Sequence, residues 1–422
     1  MSYQLPRGTQ DFLPNQTGSW QELEKIIEDV CRLYRYEEIR TPIFEELKVF
    51  KRDNDSSDMV NKEMYNFTAG SEHFALRPEG TAGVVRSFVQ HKLYGAYEMP
   101  AKLYYMGPMF RHERPQKGRY RQFHQFGIEN IGIKTPVADA EVIALGYNLI
   151  KQIGLQEISV LINTLGDNES RSKYRDVLRN HFKEHLDGLC EDCKRRYEQN
   201  PLRILDCKID NEKEIVKSAP SLQDCLNDES KNYFNDVLKA LEALKIPYVV
   251  EDRLVRGLDY YTHTVFEVVS THNESGSQST IFGGGRYDGL VNYFGGPDMS
   301  GVGFAIGLER LLLFASLENI NLASEDELDV YVMSLGNVET LPIEVATMCR
   351  NAGFKTELNM VERSMKSQFK SVDRKHAKTI IIIGEDELKQ GVVNIKDIKT
   401  QQQVTVKIDE IVSTLNGFLK GE

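Results

Sequence analysis

The residues best equipped for chemistry lie in one run, Met106–Asn130, which reads MGPMFRHERPQKGRYRQFHQFGIEN. Two alternating stretches flank a basic segment. On the first, Tyr105, Gly107, Met109, Arg111 and Glu113 share one parity; on the second, Phe123, Gln125, Gly127 and Glu129 share it. The other parity, Tyr104, Met106, Pro108 and Phe110, then Phe126 and Ile128, is apolar. A period of two predicts strands, and the segment between them closes an antiparallel hairpin. One face packs on a core. The other sets Arg111, Glu113, Gln125 and Glu129 side by side, which is costly unless water or a polar ligand meets them. The connecting loop, Arg111–Arg121, carries five Lys/Arg and one acid, with Gly118 for flexibility. A solvated tip is the plain reading of a charge run. Here the charge runs down onto the strand face that also holds acids and a glutamine, which favours a substrate carrying both phosphate and amine.

Four further runs hold candidate residues. In His73–Val85 a strand ends at Pro78-Glu79-Gly80-Thr81 before a helix, where an acid and a hydroxyl can cap the helix. Leu254–Glu267, LVRGLDYYTHTVFE, sets Arg256 and Asp259 around Gly257, then Tyr260 and Tyr261, and leads into a strand with Val265 and Glu267. Phe282–Leu290, FGGGRYDGL, lacks the GK[ST] of a phosphate loop, and Gly283, Gly285 and Gly289 miss the dinucleotide spacing. Three consecutive glycines before Arg286 imply backbone pressed against something. Gly301–Arg310, GVGFAIGLER, reads as a small-residue strand entering a helix with Arg310 at its start.

These runs need a frame to bring them together. A chain of 422 residues allows two to three domains, and 41% apolar with 27% charged residues is a globular composition. No apolar run approaches membrane-spanning length and MSYQLPRGTQ has no signal-peptide pattern, so a cytoplasmic protein is expected. A net charge of −11 argues against a general nucleic-acid binder; a polyanion would have to meet local basic patches. Ser19-Trp20-Gln21-Glu22 fits a capping box for a helix to about Tyr34. In Tyr36–Phe50, Pro42 fits a strand edge or bulge better than a central strand. Pro136–Gly154 has the proline start and glycine stop of a helix, and Glu157–Leu165 alternates as a strand. About 167–245 is charged, helical in pattern and holds four of the six cysteines, so it reads as an inserted module. Within it Cys190-x-x-Cys193 invites a zinc reading, with His181 and His185 upstream. A second C-x-x-C is missing because Cys207 and Cys225 stand far apart, and ordinary reduced thiols are the expectation, with no metal site.

The segments FRHE and RPQKGRYRQFHQFGIE closely resemble motif 2 of the class II aminoacyl-tRNA synthetases, specifically the histidyl-tRNA synthetase family. The likeness extends from LPRGTQDFLP (Leu5–Pro14) through both Tyr- and Gly-rich signatures to GVGFAIGLER, which is similar to motif 3. It implies an α+β fold: a catalytic domain at 1–325 built on an antiparallel sheet, with the insertion near the tRNA acceptor arm, and an α/β anticodon-binding domain with a mixed sheet at 329–422. In that second domain strands are read at Val330–Leu335, Lys355–Leu358, Thr379–Ile383, Val392–Ile395 and Val404–Ile408, with a basic helix around Arg363–Lys378 facing tRNA.

The activity implied is ligation of L-histidine to its tRNA through histidyl-adenylate, with ATP as substrate, Mg2+ accompanying it, and a homodimer built on the Tyr36–Phe50 region. By the same resemblance Glu79, Gly80, Thr81 and Gln125 hold the ammonium group. Glu129, Tyr260 and Tyr261 form the imidazole pocket. Arg111 and Arg256 act at the α-phosphate and the carboxylate. Glu113 and Phe123 take adenine, Arg119 and Arg310 the outer phosphates, and Gln116 contacts tRNA. Two rivals remain: a histidine-sensing regulatory paralogue of ATP phosphoribosyltransferase, which lacks the second domain, and an inactive tRNA-binding module, which would have lost Arg111, Arg256 or Arg310.

Overall fold

Pro14 opens the first helix, Pro14–Leu33, because its fixed φ suits a first helical position and no N–H is lost there. Gln16 Oε1 accepts from Leu13 N at 3.1 Å to complete the cap. The helix therefore starts five residues before Ser19, and the expected capping box lies inside it. The computed structural model describes residues 3–51, 57, 59–207, 209–275, 279–322 and 327–420. Two units are seen, Met1–Ala323 and Ser324–Glu422.

The strands of the first unit are β1 Glu37–Glu38, β2 Phe44–Glu46, β3 Asn66–Ala69, β4 Glu72–Leu76, β5 Ala101–Phe110, β6 Gln122–Ile131, β7 Ile158–Thr164, β8 Val249–Val250, β9 Thr262–Ser270, β10 Thr280–Asp288 and β11 Ser300–Gly307. Eight form one sheet in the order β1-β5-β6-β11-β10-β9-β7-β8, antiparallel except at the two edges. The predicted hairpin is β5–β6, paired from Ala101↔Ile131 to Phe110↔Gln122. Pro42 falls between β1 and β2, outside either strand. The small sheet β2-β4-β3 stands apart.

Period-two patterning decides what each face carries. Phe126 and Ile128 of β6, Phe266 of β9, Phe282 of β10 and Phe304 of β11 pack against helices Pro14–Leu33, Pro136–Ile153, Asp228–Ala243 and Leu308–Leu317. The expected helix at 136–154 is there, with Thr135 accepting from Ala138 N and Gly154 left-handed at φ 107°. The opposite face is apolar at Leu103 and Tyr105, under Val84 and Phe88 of helix Thr81–Gln90, and meets the insertion through Tyr174, Leu178 and Leu202. The stretch 167–245 is helical as expected. Its last helix, Asp228–Ala243, buries Phe234, Val237 and Leu241 in the sheet core, so the part that stands outside that core is shorter than the sequence pattern suggested.

In the second unit β12 Leu328–Leu335, β13 Thr356–Leu358, β14 Ala377–Gly384, β15 Val392–Asp397 and β16 Gln403–Lys407 form a mixed sheet ordered β13-β12-β14-β15-β16. The basic helix is shorter than expected, Met365–Arg374. Arg363 precedes it, Lys375 follows it and pairs with Glu357, and Lys378 sits in β14 beside Glu327 and Asp329. Only Lys366, Lys370 and Arg374 of the six cations lie on the helix, all exposed. Local acids neutralise Lys375 and Lys378, while Arg363 donates to the Ser371 hydroxyl.

Candidate active site

A cavity of about 350 Å³ opens on the sheet face opposite the helical core. It has room because β10 and β11 present glycine and alanine at its floor. Val302, Phe304 and Ile306 of β11 point into the core, so Gly303, Ala305 and Gly307 turn to the cavity. On β10 Gly283 does the same; a Cβ there would stand 2.5 Å from an Arg256 guanidinium nitrogen. A Cβ on Gly303 would collide with the Glu129 carboxylate. Side chains from the hairpin, the PEGT turn, the Arg256 loop and the Leu308–Leu317 helix then wall the space. A wider groove of about 560 Å³ along Phe12, Trp20 and Leu312 has Glu309 as its one charged residue among those described, and offers no comparable chemistry.

One end is buried and holds two carboxyl groups, Glu79 and Glu129. Glu129, 1% exposed, accepts from Thr81 Oγ1 at 2.6 Å and from the Tyr287 hydroxyl at 2.5 Å. Burial pushes its carboxyl up to about 8, against the pull of those two hydrogen bonds and with a further push from Glu79. Burial likewise holds the Tyr287 hydroxyl well above its ordinary value, so it remains a neutral donor. Glu79 accepts from Thr81 N at 2.6 Å and Ala82 N at 2.9 Å, so it caps the helix that positions Thr81. Tyr260 and Tyr261, both buried, pack with ring centroids 4.8 Å apart and planes tilted by 48°. Gln125 contributes a buried Oε1 with no hydrogen-bond partner among the described residues.

The other end is cationic. Arg111 donates through Nε to Pro78 O at 2.8 Å and lies 5.3 Å over the Phe123 ring centroid. Glu113 stands between Arg119, at 3.3 Å, and Arg111, at 3.9 Å. Arg310, at the start of its helix, is pulled down to about 10 by burial and then by the like charge of Arg119. It stays a cation at neutral pH, and an anion placed between the two would relieve their repulsion. Arg256 pairs with Glu267 of β9, not with its neighbour Asp259, which accepts instead from Asn200. Its Nε is buried with no hydrogen-bond partner among the described residues.

A pocket of buried carboxyl groups and tyrosines joined to an arginine-lined trough is compatible with the class II resemblance, and the comparisons with known proteins show the family. A family model described as histidyl-tRNA synthetase matches residues 8–311, and one described as anticodon binding domain matches 329–417. The chain belongs to the histidyl-tRNA synthetase family. It is 48% identical over 419 residues to the histidine–tRNA ligase of Lysinibacillus sphaericus, covering 99% of both chains. It is 47% identical over 424 residues to that of Bacillus subtilis, covering 100% of both. Among solved structures it is similar to apo S. aureus histidyl-tRNA synthetase, with a TM-score of 0.85 at 39% identity over 98% of this chain and 100% of that one.

Within this synthetase fold the cavity gathers Glu79, Thr81, Arg111, Glu113, Arg119, Phe123, Gln125, Glu129, Arg256, Tyr260, Tyr261 and Arg310. Gly80 and Gln116 lie outside its lining. Gly80 makes room for the Tyr105 ring, which a Cβ would strike, so its part is packing. Gln116 is exposed at the loop tip, bridged through its backbone to Arg119. Sequence reasoning passed over Tyr287, although its parity with Gly283 and Gly285 aims it at the cavity. It also gave Glu267 no role, and it gave no sign that Asp206 would reach the cavity from the insertion. Arg286, beside Tyr287, faces the core and pairs with Asp139.

Proposed function

We propose that this chain is a histidine–tRNA ligase, joining L-histidine and ATP to histidyl-adenylate and pyrophosphate and then passing the histidyl group to the 3′ end of its tRNA. The observation that carries this reading is one cavity with a buried hydrogen-bonded carboxylate, Glu129, at one end and Arg111, Arg119, Arg256 and Arg310 at the other. Histidine sits with its imidazole by Glu129 and Tyr261 and its ammonium group by Glu79, Thr81 and Gln125. A carboxylate oxygen attacks the α-phosphorus in line, the bond to the bridging oxygen of the β-phosphate breaks, and pyrophosphate leaves with that electron pair. Two anions must meet, so Arg111 and Arg256 lower the barrier by positioning both and stabilising the charge that builds on the phosphoryl oxygens. Glu113 and Phe123 take adenine, by hydrogen bond and stacking, while Arg119 and Arg310 receive the outer phosphates.

Magnesium enters with the nucleotide. Glu267 is the cavity carboxylate left to hold a small hard cation, already beside Arg256, and the ion would neutralise phosphate charge. ATP–pyrophosphate exchange run against all twenty amino acids tests the assignment; exchange that does not depend on histidine rejects it. The regulatory-paralogue reading has less support, since full-length ligases match both units.

The chain also reads as a homodimer. Phe44 and Phe67 of the small sheet are 52% and 42% exposed and meet edge-on at 6.2 Å, an apolar patch of the kind that marks a protein contact. Sedimentation at micromolar concentration should give about twice the chain mass; an active monomer there defeats the dimer. Among the described residues no helix is long and apolar enough to cross a membrane.

A further inference from the structure

The insertion turns twice on the same short step. Cys190-x-x-Cys193 opens the helix Glu191–Gln199, and Cys207-x-x-Asp210 follows the turn Pro201–Ile204. The three Sγ atoms and a carboxylate oxygen of Asp210 all lie within 4.8 Å of one another. Cys190 Sγ and Cys207 Sγ are 3.7 Å apart. A tetrahedron with zinc–sulfur bonds of about 2.3 Å has an edge of about 3.8 Å, whereas a disulfide needs about 2.05 Å. Cys193 and Asp210 have no exposure and Cys207 has 3%. A fully buried carboxylate needs a cationic partner. Lys213 Nζ already stands 2.7 Å from Asp210 Oδ1, so a metal would share the carboxylate with the lysine, and it is the spacing of the three thiols that favours a metal. The other sequence candidates are elsewhere engaged or apart: His181 Nε2 is 2.8 Å from Ile215 O, and Cys225 is outside the cluster.

We propose that Cys190, Cys193, Cys207 and Asp210 bind a structural zinc ion. The missing half of the motif is thus C-x-x-D, which a search for paired C-x-x-C overlooks. Three soft thiolates select zinc over the hard oxygen-seeking cations. On binding, the three thiols release their protons to solvent as the metal–sulfur bonds form. The surroundings already suit an anionic site: Cys190 N donates to Asp210 Oδ2 at 2.8 Å, orienting the carboxylate, and Lys213 Nζ stands 2.7 Å from Oδ1. The chain between the two ligand pairs reaches the cavity. Asn200 donates to Asp259 at 3.0 Å, Arg203 donates to Arg256 O at 3.0 Å, and Asp206 lines the cavity wall. A metal closing this loop braces the turn that presents Arg256. Neither the ligation nor its test depends on the reaction assigned to the cavity.

The full chain, purified without chelators from zinc-supplemented cells, should retain about one zinc per chain by mass spectrometry after exhaustive dialysis. Cobalt exchanged into it should show thiolate-to-metal charge transfer and tetrahedral ligand-field bands. Cys207→Ser and Asp210→Asn should each weaken zinc retention at least about tenfold, while Cys225→Ser and Cys31→Ser leave it unchanged. Because a cysteine variant can fail to fold, the unaltered chain supplies a second readout. Stripping the metal should lower its melting temperature, and zinc alone should restore it. A chain that melts identically with and without zinc overturns the site. So do iron in place of zinc, undiminished zinc in Cys207→Ser, or a Cys190–Cys207 disulfide in protein prepared under reducing conditions.

Discussion

Two arginine–carboxylate pairs each have one member on neighbouring strands of the main sheet, Arg286 on β10 and Glu267 on β9, and they differ in what remains to be satisfied. Arg286 and Asp139 are wholly buried on the core face. Arg286 donates to Asp139 through Nε and a terminal nitrogen, and also to Ile133 O and the Ser300 hydroxyl, while Thr264 Oγ1 donates to the other Asp139 oxygen at 2.6 Å. Arg256 and Glu267, 18% and 21% exposed, line the cavity; Glu267 also accepts from Thr280, and Arg256 keeps a buried Nε with no partner among the described residues. The first pair is saturated by protein. The second leaves a guanidinium only partly answered, next to bare glycine backbone. Chemical type does not separate structure from function here. The number of unfilled hydrogen-bond positions does.

The largest expected effect is on the saturated pair. Arg286→Met strands Asp139 in the core and should cost about 3–5 kcal/mol of unfolding free energy. Denaturant titration checks this, and Arg286→Met with Asp139→Leu should recover much of the loss, because removing both charges leaves none unpaired. A stability loss under about 1 kcal/mol in the single variant would dissolve the contrast.

The cavity pair should respond the other way. Arg256→Ala should fold and bind histidine, since Glu267 keeps Thr280 and water, yet lose pyrophosphate exchange by about 10²–10³. Arg256→Lys should also be poor, because a point charge cannot reproduce the planar fork. Less than a tenfold loss would make Arg256 a second Arg286, with the chemistry resting on Arg111.

How far this division was legible in the sequence depends on side-chain periodicity. Alternation along 101–131 predicted the β5–β6 hairpin and its polar face, since a strand leaves side chains no other choice. The same rule applied to FGGGRYDGL separates Tyr287 from Arg286, but three glycines leave no side-chain pattern from which to read the parity. Partners across long separations were out of reach: Arg286 and Asp139 lie 147 residues apart, and Glu129 and Tyr287 lie 158 apart. The helix starting at Pro14 was misread because Ser19 and Glu22 satisfy the capping spacing locally while Pro14 and Gln16 satisfy it better. Asp206 and Asp210 are two ordinary acids until the insertion turns back on itself.

Glu129 stands between the two arginine pairs, protein-bonded at both oxygens yet facing the cavity. Glu129→Gln keeps the shape of the protonated acid but cannot give up a proton to pair with the imidazole, so it should raise the histidine KM about tenfold or more and leave the ATP KM unchanged. Stability gives an independent check. The folded carboxyl titrates near 8 against an ordinary 4.5, so the folded state holds its proton more tightly. The stability this group contributes is present below about 4.5 and is lost as pH rises through about 8. The unaltered chain should therefore weaken relative to Glu129→Gln across that window, by at most about 1.4 kcal/mol per pH unit. A flat difference would mean that Glu129 is already ionised, with the cavity far wetter than its burial indicates.

The smallest change in stability and adenylate chemistry is expected at Gln116, the loop-tip residue that meets neither condition. Its side chain is exposed and outside the cavity, and its hold on the fold is through backbone, Gln116 N to Arg119 O at 3.2 Å and Arg119 N to Gln116 O at 2.9 Å. Gln116→Ala keeps both bonds, so the hairpin and Arg119 should stay in place and the unfolding free energy should change by no more than about 0.5 kcal/mol. Adenylate formation, which uses the cavity below, should be nearly intact. What is lost is a polar group on a strongly basic tip, where the tRNA end is expected to approach, so the transfer step should slow severalfold while exchange does not. Single-turnover transfer from preformed adenylate separates the steps. If exchange and transfer fall together, the tip is acting through Arg119 on the nucleotide, and exposure alone does not mark a residue as belonging to tRNA.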